Sequence, residues 1–199
     1  MANANSPRGI IPYAHQSGSP YNGAVRTYYV PVGNATALYI GDPVVTITNS
    51  SDGNGIQSVG IATAGGGTQI LGAFMGRTNN AGTAAPITLL QSNNVYLPAS
   101  TAAYVMVCDD PYLLYWVQEN GAMVSGASWR NADLVAGAGS TYSGYSGWQL
   151  NSSTLNTTST LQMRIIQMLQ ESDNAVGTNA KWLCKINAGI SEFTNATGT

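Results

Sequence analysis

One histidine and one pair of adjacent aspartates are the residues of this chain that invite a search for chemistry. His15 is the only histidine in 199 residues, and it lies in a segment rich in proline and glycine that would not hold a general base rigidly. A Ser-His-Asp triad would have to use His15, and the chain contains no G-x-S-x-G nucleophile elbow. We therefore expect His15 at a surface or an interface, and we expect the protein not to be an enzyme.

The acidic motifs favour structural roles. Asp109 and Asp110 stand before Pro111, which is a turn signature, and neighbouring residues of a strand point to opposite faces. Residues 52–55 (Asp-Gly-Asn-Gly) begin like a calcium loop but lack the later ligands and the bidentate glutamate. We therefore expect no metal and no cofactor.

Composition narrows the classes of partner. Only 8% of the residues are charged, against about 25% in ordinary soluble domains. The seven Lys and Arg residues are scattered, which argues against nucleic-acid binding, and a net charge of −2 gives little repulsion between copies. No stretch approaches the 18 apolar residues of a membrane span, and the first residues lack the apolar core of a signal peptide, so we expect no membrane association. Cys108 and Cys184 lie in apolar runs without a C-x-x-C motif, which predicts buried free thiols, a cross-sheet disulfide being the alternative.

The region from Tyr104 to Glu119 predicts the central element of the fold. Two short runs rich in Val, Tyr and Trp flank the turn-forming residues 109–112, which favours a β-hairpin. Both faces of this hairpin are apolar, so either other strands of the chain or another subunit must cover the second face. Its predicted core residues are Val105, Val107, Leu113, Tyr115 and Val117.

The rest of the chain predicts an all-β fold, a single β-sandwich or barrel-like domain of about ten short strands with long Gly/Ser loops. Residues 1–24 predict an extended N-terminal arm, because their prolines and glycines disfavour a helix. Three fates remain open for this arm: contact with a neighbouring subunit, packing on its own domain, or disorder. The all-β domain then covers residues 25–190, and residues 191–199 predict a polar tail.

The segment Leu161–Leu169 fits either a strand or a helix. Its apolar residues alternate except at Gln167, and they also fit a helical stripe. Lys181–Ile186 alternates clearly, with its lysines outward, so a long-loop hairpin between the two segments is the favoured interpretation.

Aromatic residues in Gly/Ser-rich loops are the remaining signal. Trp129, Tyr142, Tyr145 and Trp148 could pack in the core, fill a subunit interface, or stack on sugars. All three interpretations stay open at this point.

Several stretches of the chain resemble capsid decoration, or cement, proteins of tailed bacteriophages, which are typically encoded beside the major capsid protein. These stretches are MANANSPRGIIP with YNGAVRTYYVP, then ALYIGDPVV, and the closing LQMRIIQMLQESDNAVGTNAKWLCKIN. The resemblance implies a non-enzymatic protein, assembled in the host cytoplasm, that binds the capsid exterior as a homotrimer or dimer. It would clamp neighbouring subunits of the major capsid protein and stabilise the shell.

Two groups of residues are then expected to contact the capsid or another subunit. In the arm they are Arg8, Ile10, Ile11, Tyr13 and Tyr21, and in the loops they are Trp129, Tyr142 and Tyr145. If the arm docks on a neighbour, deleting residues 1–20 should abolish shell binding and leave the domain folded. The alternatives are a phage tail, baseplate or receptor-binding module that recognises surface glycans through Trp129 or Trp148, and a non-viral β-sandwich or an enzyme.

Overall fold

The computed structural model of the protein describes residues 3–78 and 95–195. Within these residues the chain is nearly all β, which confirms the predicted fold class. The fourteen strands of this part of the chain are β1 (Ile11–His15), β2 (Arg26–Val30), β3 (Leu38–Tyr39), β4 (Pro43–Ser51), β5 (Gln57–Ile61), β6 (Gly72–Thr78), β7 (Tyr96–Leu97), β8 (Ala103–Cys108), β9 (Leu113–Gln118), β10 (Asn131–Ala132), β11 (Leu134–Val135), β12 (Gln149–Leu150), β13 (Met163–Met168) and β14 (Lys181–Ile186). Single-turn 3-10 helices lie at Ser125–Ala127 and Ser152–Thr154. The sequence also predicts a short strand at 87–90, and this segment lies outside the described residues.

Five strands close into a barrel in the order β2-β5-β4-β6-β8. All its ladders are antiparallel except β2 with β5, and β8 closes it by pairing with both β2 and β6. The interior is filled by alternating side chains of these strands, because alternate residues of a strand point to one face. These residues include Tyr28, Val30, Val44, Val59, Phe74, Val105 and Val107, and all are buried.

A five-stranded antiparallel sheet, in the order β1-β9-β14-β13-β10, packs beside the barrel. Its inner face carries Leu113, Tyr115 and Val117 of β9 and Trp182, Cys184 and Ile186 of β14. The same hydrophobic cluster contains Ala73 and Cys108, whose strands belong to the barrel. The sheet and the barrel therefore share one apolar core.

The predicted hairpin at 104–119 is wrong in its pairing, although both of its strands form. β8 pairs with β2 and β6, whereas β9 pairs with β1 and β14. Residues 109–112 thus carry the chain from the barrel to the sheet. On the second face, Met106 and Cys108 of β8 are buried within the chain, whereas Leu114 and Trp116 of β9 are half-buried. All five predicted core residues are buried.

The hairpin predicted at the end of the chain is confirmed. β13 pairs antiparallel with β14, so the segment that also fitted a helix is a strand. The ladder is irregular between Ile165 and Gln167, and Gln167 is exposed. A bulge at this point explains why Gln167 breaks the alternation of apolar residues, because one extra residue shifts every following side chain to the other face.

The N-terminal residues are part of the domain and not a separate arm. β1 is the edge strand of the five-stranded sheet, and Ile10 is completely buried in the shared core. Further towards the N-terminus, the Gln118 side chain donates to the Ala4 carbonyl (2.8 Å) and accepts from the Ser6 N–H (2.9 Å). Of the three fates that the sequence left open, the structure shows packing on the chain's own domain.

The described part of the predicted tail is also ordered against the barrel. Ser191 is buried and forms a bridge with Ile70, and the Glu192 carboxylate accepts hydrogen bonds from the Thr46 N–H and hydroxyl. The polar composition of this segment does not prevent it from packing, because the Glu192 carboxylate finds its donors on barrel strand β4.

Truncating Ile10 to Ala should lower the free energy of unfolding by about 2–5 kcal/mol, the usual cost of shortening a fully buried isoleucine. Chemical denaturation measures the loss. Tyr13→Ala is the matched control, because Tyr13 lies on the adjoining strand and is half-exposed; its cost should be about 0.5 kcal/mol or less. Equal, small losses for both variants would contradict the inclusion of this segment in the core.

Candidate functional site

The titratable residues singled out in the sequence lie where the barrel meets the sheet. Asp109 Oδ2 accepts from the Tyr28 hydroxyl (2.6 Å) and pairs with Arg26 Nη1 (2.9 Å), both on barrel strand β2. Asp110 Oδ2 lies 3.0 Å from His15 Nδ1 on sheet strand β1. The two carboxylates thus point to different parts of the fold, as expected for neighbours in a turn, and they do not form a paired-carboxylate site.

The two cysteines are free and buried, as predicted. Burial raises the pKa of the Cys108 thiol to about 11 and that of Cys184 still further, so both stay as unreactive thiols at neutral pH. Within residues 3–78 and 95–195, His, Cys, Asp and Glu form no group of three that could hold a metal ion. The described residues also contain no helix long and apolar enough to cross a membrane.

The predicted contact residues divide into buried and exposed groups. Ile10 is buried, Ile11 and Tyr21 are partly buried within the domain, and only Arg8 and Tyr13 of the N-terminal group are exposed. Among the loop aromatics, Tyr142 is 96% exposed and Trp129 is 70% exposed, whereas Trp148 is buried. Trp148 therefore cannot serve as a platform for sugars.

We define the tyrosine patch as Arg8, Tyr39, Tyr96, Tyr142 and Tyr145, because backbone pairing brings the segments that carry them together. The Arg8 guanidinium lies over the Tyr145 ring, 4.7 Å from its centroid. The Tyr39 and Tyr96 rings stack with centroids 5.0 Å apart and planes inclined by 12°. Tyr142 lies on the same loop as Tyr145, so four separate segments contribute residues to the patch.

Arg8 reaches Tyr145 because two glycines allow their backbones to touch. Gly9 and Gly41 both have positive φ angles, 74° and 92°, which side chains other than glycine rarely adopt. A Cβ on Gly41 would collide with the Arg8 carbonyl, and one on Gly9 would collide with the Gly41 carbonyl. The Ile10 N–H then donates to the Gly41 carbonyl at 2.8 Å, which fixes Arg8 beside the turn that follows β3.

The loop that carries Tyr142 and Tyr145 is fixed along its length. Ile40 pairs with this loop through two backbone bonds, from its N–H to the Gly144 carbonyl (2.8 Å) and from the Ser146 N–H to its carbonyl (2.9 Å). The Gly144 N–H donates to the Ser140 carbonyl at 2.8 Å, which closes a tight turn around Tyr142. Gly139 lies so close to the Tyr39 ring that a Cβ there would collide with it. An exposed tyrosine is thus presented on a rigid support.

A buried carboxyl group lies beneath the tyrosine patch. Asp42 Oδ2 accepts from the Tyr39 N–H at 2.8 Å, and only 2% of the residue is exposed. Burial raises the pKa of Asp42 to about 6, although hydrogen bonds from the Ser146 hydroxyl and the Tyr39 backbone oppose the rise. Asp42 therefore links β3 to the loop that carries Tyr145.

Trp129 is a second exposed aromatic residue, held in a strained backbone conformation. Its φ of 64° is unusual for a bulky residue, and the strain costs about 1–3 kcal/mol. Backbone bonds from its N–H to the Ile165 carbonyl (2.8 Å) and from the Ile165 N–H to the Arg130 carbonyl (2.9 Å) hold it there. The sheet edge therefore fixes both the backbone and the exposed position of the indole.

The sequence did not single out Tyr39 and Tyr96. Each lies on a two-residue strand, and the two residues stand opposite each other only because β3 pairs with β7. A search for aromatic residues at the ends of predicted strands would have found both, but no sequence signal would have paired them.

The pH dependence of stability should report the buried Asp42. Its pKa is higher in the folded protein than the ordinary 3.8, so the folded state binds the proton more tightly, and this stability is lost as the pH rises through about 6. Relative to an Asp42→Asn variant, the wild type should lose about 2 kcal/mol of unfolding free energy between pH 4 and pH 7. Denaturant titrations at a series of pH values measure this difference, and parallel profiles for the two proteins would contradict it.

Asp52→Asn is the matched control for that experiment. The pKa of Asp52 is lowered to about 2, first by the Tyr104 hydroxyl, so its contribution is present at neutral pH and is lost as the pH falls towards 2. Its removal should lower stability by a constant amount at neutral pH and should change the slope of the profile only below about pH 4, in the direction opposite to Asp42→Asn.

Comparison of the chain with protein-family models, curated proteins and solved structures gives no match. Its function is therefore argued from the residues and their geometry. The tyrosine patch combines one exposed tyrosine, three partly buried tyrosine rings, a cation and a backbone held by hydrogen bonds.

Proposed function

We propose that this protein decorates the outside of an icosahedral bacteriophage capsid and stabilises contacts between neighbouring subunits of the major capsid protein. In this role it is a non-enzymatic structural protein of the virion. Its partners are the major capsid protein and further copies of itself, in a homotrimer or a dimer. The sequence stretches that resemble cement proteins suggest this role, and the tyrosine patch is the observation that carries it.

The tyrosine patch has the chemistry of a protein-binding surface. Tyrosine and arginine are enriched among the residues that dominate binding energy, because a large amphipathic ring loses little conformational entropy when it is buried. Tyr142 is almost fully exposed, while its loop is fixed by backbone bonds on both sides. A rigid, exposed aromatic residue binds a partner without the cost of ordering a flexible loop.

The low charge of the chain supports the same role. Charged residues are depleted in the buried centre of interfaces, because each charge must lose its water on binding. With only 8% charged residues, this chain offers neutral polar and aromatic surface over most of its exterior. Such a surface suits permanent contact with a shell more than reversible, salt-dependent binding.

Binding to capsids tests the proposal. Capsids that lack the protein are mixed with the purified full chain, and bound protein is measured by co-sedimentation together with the thermal stability of the shells. We expect stoichiometric binding that raises shell stability. Tyr142→Ala and Arg8→Ala should each weaken binding about tenfold or more, because each removes part of the patch.

Tyr112→Ala is the matched control, because Tyr112 is 63% exposed but is not part of the tyrosine patch. Its occupancy on shells should equal that of the wild type. Light scattering of the free protein gives the oligomeric state and shows that each variant is unaggregated, and circular dichroism shows that each variant is folded. Absence of binding to shells by the wild type would overturn the proposed function, and equal losses for all three variants would exclude the tyrosine patch as the contact.

A further inference from the structure

A cleft elsewhere on the surface has the composition of a small-ligand site. It is a shallow cleft, largely open to solvent, with a volume of about 620 Å³, and it is lined by His15, Gln16, Ser17, Ser19 and Tyr112. This volume lies within the range of roughly 300–1,000 Å³ that is typical of ligand sites. None of its lining residues belongs to the tyrosine patch, so the cleft needs an explanation of its own.

One carboxylate fixes both walls of this cleft. Asp110 Oδ2 lies 3.0 Å from His15 Nδ1, and Asp110 Oδ1 accepts the Tyr112 N–H at 2.8 Å. The Gln16 N–H donates to the Tyr112 carbonyl at 2.7 Å, which joins the two walls directly. The His15 N–H also donates to the Ser19 carbonyl at 2.8 Å and closes the turn on which the serines lie. The cleft is therefore built before any ligand binds.

The hydrogen-bonding groups of the cleft are set by this arrangement. Because the Asp110 carboxylate can only accept, His15 Nδ1 carries a proton, and the other ring nitrogen makes no hydrogen bond to the described residues. Gln16 adds an amide, and Ser17 and Ser19 add two hydroxyls whose oxygens lie 3.3 Å apart. The cleft thus offers several donors and acceptors within the reach of one small ligand.

Tyr112 supplies the apolar part of the site. Tyr112 is 63% exposed, although hydrogen bonds hold both its backbone N–H and its backbone carbonyl. An exposed ring beside amide, hydroxyl and imidazole groups matches a sugar, which has an apolar face of C–H groups and a rim of hydroxyls. No lysine or arginine lines the cleft, so a phosphate or another anion would find no lysine or arginine to pair with.

We propose that this cleft binds a saccharide, with the Tyr112 ring against one face of the sugar and the side chains of His15, Gln16 and the two serines on its hydroxyls. This inference does not rest on the proposed capsid function. It also differs from sugar binding at Trp129. That residue has an exposed indole, but it does not line the cleft.

Titration of the full-length protein with sugars, followed by amide chemical shifts in NMR, tests the proposal. The probes are glucose, galactose, mannose, N-acetylglucosamine, maltose and lactose. We expect saturable shifts with at least one of them, centred on residues 15–19 and 112. Tyr112→Ala should weaken that binding about tenfold or more, and Gln16→Ala should also weaken it.

Two variants serve as controls, because each removes an exposed aromatic residue outside the cleft: Trp129→Ala and Tyr142→Ala. Both should bind the sugar as the wild type does. A loss of binding with Trp129→Ala and not with Tyr112→Ala would overturn the assignment to the cleft. Absence of saturable shifts with all six sugars would overturn the proposal itself, whatever the result on capsids.

Discussion

The fold depends on a short polar crossing between its barrel and its sheet. β8 ends at Cys108 and β9 begins at Leu113, so four residues carry the chain from one half of the structure to the other. Asp109 bonds to β2 of the barrel and Asp110 to β1 of the sheet. The Tyr115 hydroxyl donates back to the Cys108 carbonyl at 3.2 Å, across the crossing. Hydrogen bonds of the crossing residues therefore connect the barrel to the sheet.

This crossing accounts for the limits of what the sequence predicts. Period-two alternation and β-branched residues identify strands, and they located the strands that became β8, β9, β13 and β14. They do not say which strand pairs with which. Asp before Pro is compatible with a hairpin and equally with a crossing, and the choice is made by strands far away in sequence, β2 and β6 on one side and β1 and β14 on the other. A two-sided apolar strand was the available signal, because a strand buried on both faces needs more partners than one hairpin provides.

The sequence also identified only part of the candidate site, because local patterns do not say which segments of the chain meet. Aromatic residues in Gly/Ser loops identified Tyr142 and Tyr145, and the anchor residues of the N-terminal segment included Arg8. Their meeting depends on the contact between Gly9 and Gly41, which no local pattern encodes. Likewise, His15 looked like an isolated histidine in a flexible segment, and its pairing with Asp110 follows only from the ladder between β1 and β9, which places His15 opposite Leu113.

The N-terminal segment links the two proposed binding surfaces. Arg8 belongs to the tyrosine patch, and His15 to Ser19 line the cleft. Between them, Ile10 is buried in the shared core and β1 is hydrogen-bonded to β9. A flexible arm would pay the entropy of ordering at each encounter, whereas this segment is ordered by the fold itself. Because the core fixes the residues between Arg8 and His15, both surfaces keep fixed positions relative to the sheet. The residues that the sequence predicted as an extended arm are thus the ones that hold the two surfaces in place.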